Sequence, residues 1–127
     1  SSWETHGFKS NYSDIRLKTN ISNSNRKALD IINSIKIRQF DWIRSGEHQD
    51  IGFIADELET LDQHFTFGGG YEEDGSMNIK SVDSLYLQGY EVKAIQELSQ
   101  ENQKLKNTIL SLQGEIAIIK QKLEELA

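Results

Sequence analysis

IQELSQENQKLKNTILSLQGEIAIIKQKLEEL, residues 95–126, decides the architecture. Its seam positions fall at alternating steps of three and four: Ile95, Leu98, Asn102, Leu105, Ile109, Leu112, Ile116, Ile119, Leu123 and Leu126. Nine of these ten are apolar, over five heptads without a slip. A strict seven-residue repeat keeps one stripe aligned only when a partner helix supplies the matching stripe. The competing reading is a long amphipathic helix packed on its own domain; five unbroken heptads weigh against it, because they exceed what a small domain can cover. Asn102 reads either as a polar seam residue that sets register or as a tolerated polar defect. Gly114 costs roughly 1 kcal/mol against Ala but leaves the seam intact. The helical character reaches back to about Asp83, with Tyr86, Leu87 and Tyr90 placed to pack on preceding strands.

Upstream of this helix the chain reads as short alternating elements. Ser22, Asn23, Ser24 and Asn25 offer N-caps for a helix carrying Ala28, Leu29, Ile31, Ile32 and Ile35, which ends near Ser34 to Ile35. Residues 36–46 read as a strand through Ile37, Phe40, Trp42 and Ile43, closed by a Ser45-Gly46 turn. Ile51 to Ala55 reads as a second strand, running into the acidic helical turn Asp56-Glu57-Leu58-Glu59. Gly68-Gly69-Gly70 reads as a flexible hinge, since it lacks the Lys-Ser/Thr of a phosphate loop. Asp74-Gly75 marks a turn, and Met77 to Val82 a further strand. The expected fold is therefore α+β: a small mixed head over residues 13–94 and a coiled-coil helix over 95–127. Residues 1–12, with Trp3, Phe8 and Tyr12, read as the end of a preceding segment.

Composition narrows the function. At 127 residues one domain is the default. A net charge of -6 without a Lys/Arg-dense stretch argues against nucleic-acid binding. No apolar run has membrane-spanning length, so no membrane partner is expected. With no cysteine, disulfides and thiolate chemistry are excluded. His6, His48 and His64 lack metal-ligand spacing and read as loop histidines, so neither a metal nor a cofactor is expected.

One stretch carries reactive chemistry. Ser13-Asp14-Ile15-Arg16-Leu17-Lys18-Thr19-Asn20 places a hydroxyl, a carboxylate and an amine within six residues. Serine with lysine is one route to an activated nucleophile without histidine. Lysine ordinarily titrates near 10.4, so it serves as a base only where burial or a nearby cation, such as Arg16, lowers that value. Lys18 would then deprotonate Ser13, while backbone N–H groups or the Asn20 amide stabilise the oxyanion. Glu57 would either orient Lys18 or serve only as a helix-start charge. Taken alone, Ser13-Asp14 is also an ordinary turn cap.

Ser13-Asp14-x-Arg16-Leu17-Lys18-x-Asn20-Ile21 resembles the opening of a known family. It is the self-cleaving C-terminal intramolecular chaperone domain of phage tailspikes, tail fibres and neck appendages, of the endosialidase type, with a relative in the myelin regulatory factor family. Phe40-x-Trp42, Gly52-Phe53-Ile54-Ala55-x-Glu57 and the Ala94-Ile95-Gln96-Glu97-Leu98 entry to the long helix follow in the family's order, so the resemblance runs over residues 13–127. Asp56 stands where the family commonly has Gln.

The resemblance implies a homotrimer, whereas Ile and Leu alternating with Asn102 in the seam favour a parallel dimer. It also implies a β-structured fibre stalk upstream as partner, which the 64–78 loop would embrace unless that loop is simply a mobile hairpin. The implied scissile bond is Ser13–Asp14, with residues through Ser13 staying on the fibre. Attack on the serine's own carbonyl would need a four-membered ring. Cleavage at Tyr12–Ser13, or attack by Ser13 of a neighbouring chain, avoids this. The expected location is a virion precursor in the infected host cytoplasm, with release from the mature fibre after the cut. A non-cleaving trimerisation module and a coiled-coil adaptor for a separate partner are the alternative readings.

Overall fold

The computed structural model describes residues 12–127. The expected fibre-end segment, residues 1–12, therefore lies outside it apart from Tyr12. The fold is α+β, with short antiparallel strands and helices followed by one long helix. Contacts divide the chain into one unit ending at Ala94 and a second spanning Ile95–Ala127.

In the first unit, a 3-10 turn over Ile15–Leu17 precedes helix α1, Ala28–Ser34. The helix ends where expected but starts later. Its N-cap is Lys27, without a side-chain cap bond. Ser24 turns instead on itself, its Oγ accepting from the Arg26 N–H at 3.2 Å. A short hydroxyl side chain that bonds its own backbone competes with helix capping.

Strands β1 (Arg38–Asp41) and β2 (His48–Gly52) form an antiparallel pair with Phe40 opposite Gln49 and a bulge between Arg38 and Phe40. β2 thus lies three residues before the expected Ile51–Ala55, because α2 claims Ala55–Leu61 and ends the strand at Gly52. Gly52 leaves no space for a side chain, since a Cβ there would meet the Phe40 ring at 2.8 Å.

A 3-10 turn over Gln63–Phe65 leads into β3 (Thr66–Phe67), which pairs antiparallel with β4 (Ser81–Val82). The expected strand from Met77 shrinks to β4 plus an isolated bridge between Tyr71 and Met77. The triple glycine is no free hinge. Gly68, Gly69 and Gly70 all have positive φ, and a Cβ on Gly68 would meet the Ile79 carbonyl at 2.5 Å. These glycines let two backbone segments approach closely.

Helix α3 runs from Ser84 to Glu125. Asp83 starts it, accepting from the Tyr86 N–H at 3.1 Å while its own N–H reaches the Phe65 carbonyl at 2.8 Å. The core gathers Ala28 of α1, Leu58 of α2, Phe65, and Leu87, Tyr90 and Ala94 of the first turns of α3. Tyr86 packs edgewise on Phe65 and Tyr90 packs on it at a tilt, with Val82 of β4 against the same cluster. In the second unit the seam lies open in the single chain, with Leu105, Ile109, Leu112 and Ile116 half exposed or more.

Candidate functional site

The sequence from Ser13 to Lys18 folds back on itself through local bonds. The Asp14 carboxylate caps the 3-10 turn, accepting from the Arg16 N–H at 2.8 Å. The Leu17 N–H bonds the Asp14 carbonyl at 3.0 Å, and the Lys18 N–H bonds the Ile15 carbonyl at 3.1 Å. One turn of three residues returns position 18 towards position 13. The result is a contact of 2.7 Å between Lys18 Nζ and Ser13 Oγ. The turn contains no buried residue.

The other expected residues divide. Arg16 forks onto Asp14, with Nε at 3.1 Å from Oδ1 and Nη2 at 2.7 Å from Oδ2. The side-chain bond to Arg16 holds the Asp14 carboxyl below its ordinary value, and the same bond raises Arg16. The guanidinium is thus paired with a carboxylate two residues away in the single chain. Asn20 follows with φ of 54°. Glu57 lies on α2 and takes both Arg38 Nε at 2.9 Å and Nη2 at 2.6 Å. That bidentate bond holds its carboxyl below the ordinary value. Glu57 therefore ties β1 to α2 in the single chain, rather than orienting Lys18.

Sequence reasoning missed Arg38, and it missed Asp62. The Asp62 side chain is 5% exposed and accepts from Tyr90 Oη at 2.6 Å, Tyr86 Oη at 2.8 Å and the His64 N–H at 2.9 Å. Burial pushes its carboxyl up. The bonds from Tyr90, the His64 backbone and Tyr86 outweigh that and bring it down to about 2. Burial and the same carboxylate raise Tyr86 and Tyr90. The available signal was two tyrosines four apart on one helix, since buried phenols need an acceptor. Asp62 anchors the head and lies apart from the reactive turn in sequence.

Among the described residues no group of three His, Cys, Asp or Glu side chains could hold a metal, and no helix is long and apolar enough to cross a membrane. His48 sits between Asp41 at 2.6 Å and Asp50 at 3.1 Å on the β1–β2 hairpin. Two clefts of the head lie elsewhere, one bounded by Arg26, Tyr86 and Gly89, the other by Lys36, Glu57 and Leu61.

The motif that builds the reactive turn also opens a recognised family. Residues 13–66 match the family model described as chaperone of endosialidase. This segment is similar to that family. The endosialidase-type chaperone match starts at Ser13 and takes in the reactive turn, α1, both strands of the first hairpin and α2. It is narrower than the span of the sequence resemblance and does not include α3. The family is described as a chaperone of endosialidase and is also named as a peptidase. Comparison with curated proteins returns no match.

Proposed function

We propose that the chain trimerises, holds an upstream β-structured fibre stalk in register while it folds, and then cuts itself free at Ser13–Asp14. The observation that carries the cut is the 2.7 Å contact between Lys18 Nζ and Ser13 Oγ. Two features favour assembly. The seam residues of 95–126 lie open, and the head leaves Ile15, Ile43, Ile51 and Ile79 more than two-thirds exposed. Apolar surface of that extent is covered by association. Bringing three chains into register removes a large part of the entropic cost of nucleating a long intertwined fibre. The setting is a virion precursor in the host cytoplasm, and the domain leaves the mature fibre after the cut.

The site's solvation suggests where the switch lies. The Ser13–Lys18 contact exists within one chain, in an exposed turn. Assembly would contribute exclusion of water, which favours the neutral amine, together with the carbonyl to be attacked. Lys18 then takes the Ser13 Oγ proton as Oγ bonds the Ser13 carbonyl carbon of a neighbouring chain. The C–N bond to Asp14 breaks, and the Asp14 nitrogen leaves with the proton from Lys18. Water hydrolyses the ester between the chains, restoring the attacking Ser13 hydroxyl and leaving the neighbour's Ser13 with a terminal carboxylate. Attack from a neighbour avoids the four-membered ring. The Asp14–Arg16 fork would hold the leaving side of the bond still.

A mixed assembly tests this reading. Wild-type chains are co-folded with isotopically heavy Ser13→Ala chains, and the masses of the fragments are read. Attack between chains predicts heavy fragments beginning at Asp14. Cutting of light chains alone, before Ser13, would move the bond to Tyr12–Ser13. Absence of any cut chain would leave a non-cleaving trimerisation module.

A further inference from the structure

Asn20 is the one non-glycine residue with positive φ among the described residues, at 54°. An ordinary L side chain disfavours that left-handed region. Asn tolerates it better than most, and β-branched residues worst. Backbone outliers of this kind cluster where a site must be held in one geometry. The Asn20 amide makes no hydrogen bond among the described residues, so no local side-chain bond explains why this position turns.

The surrounding chain shows what the turn does. The hydrogen bonds of residues 13–20 all stay inside that segment among the described residues. Lys18 is extended, with ψ of 153°. Beyond Asn20 the backbone carries no regular element until Ala28, which is fully buried. The backbone at position 20 therefore bends the chain where the reactive turn meets the irregular residues 21–27 that lead to the core. We propose that Asn20 is a positioning residue for the self-cleavage and acts through its left-handed backbone, not through its amide as an oxyanion donor. This rests on the self-cleavage reading above.

Side-chain chemistry and backbone conformation make opposite predictions for glycine, which lacks the amide yet adopts positive φ freely. Cleavage rates are measured by intact mass for wild type, Asn20→Gly, Asn20→Ala and Asn20→Val in the 127-residue chain. Each rate is divided by the amount of folded, associated chain found by light scattering and circular dichroism. Removing folding losses in this way separates positioning of the turn from support of the fold. A backbone role predicts Asn20→Gly within about threefold of wild type, Asn20→Ala slower by about tenfold, and Asn20→Val slower still. Asn20→Gly as slow as Asn20→Ala would overturn the inference and restore the amide as the working group. Equal rates in all four would also overturn it. If the alanine and valine variants fail to assemble, the glycine variant alone decides. No cleavage in wild type would defeat the self-cleavage reading and this inference together, whereas wild-type cleavage with slow glycine defeats this inference alone.

Discussion

Replacing Asp62 by Asn removes a buried charge while keeping the side chain's shape. The Asp62 carboxyl stands at about 2 in the fold against an ordinary 3.8. At about 1.36 kcal/mol per tenfold, that difference is worth about 2 kcal/mol at neutral pH. The folded value lies below the unfolded one, so the contribution is complete above about pH 4. It is lost as pH falls through about 2. Asp62→Asn should therefore be less stable than wild type by about 2 kcal/mol at pH 7, and the gap should close between pH 4 and 2. Urea unfolding followed by tyrosine circular dichroism from pH 7 to 2, at fixed chain concentration, measures this difference. Taking the difference between the two chains cancels the other carboxylates, including Asp14, Glu57 and Asp74, which are also lowered by their partners. A gap that stays constant with pH would show that the variant disturbs packing rather than charge. No gap at pH 7 would refute the anchoring role of the Tyr90–Asp62–Tyr86 cluster.

Other substitutions probe the remaining elements. Tyr90→Phe deletes the 2.6 Å donor to Asp62 and should cost about 1–3 kcal/mol in the same unfolding assay at pH 7. Phe65→Ala empties a fully buried site and should cost roughly 3–5 kcal/mol in thermal unfolding. Gly89→Ala adds a Cβ that meets nothing within 4 Å on a helix, so it should raise stability by about 0.5–1 kcal/mol. Gly68→Ala, whose Cβ would meet the Ile79 carbonyl, should instead lower it. Ile109→Asp should abolish self-association, seen as a melting temperature that no longer depends on chain concentration.

The parts of the fold with long periodicity were readable in the sequence. The long helix follows from the 95–126 repeat, and α3 starts within one residue of the expected Asp83. The order of short elements in the head was readable too, since β-branched and aromatic runs alternate with turns. Boundaries were not. β2 slid to His48 because Ile54 and Ala55 serve the start of α2 as well as they serve a strand. In the polar run Ser22–Asn25, which looked like caps, Ser24 accepts from the Arg26 N–H instead. At the site, Ser13 and Lys18 meet because a 3-10 turn spans the residues between them, which their spacing allowed. The partners of Arg16 and Glu57 were not legible. Asp14 and Arg38 win these contacts through fork geometry set by the turn and by the β1–α2 packing, and that geometry has no signature in spacing.

The central claim is that Ser13 and Lys18 cut this chain. Intact-mass analysis of the purified chain, wild type beside Ser13→Ala and Lys18→Ala, tests it most directly. The account predicts a fragment beginning at Asp14 in wild type and an uncut mass in both variants. An uncut wild-type mass under conditions where the chain associates, or a cut that persists in both variants, would contradict it.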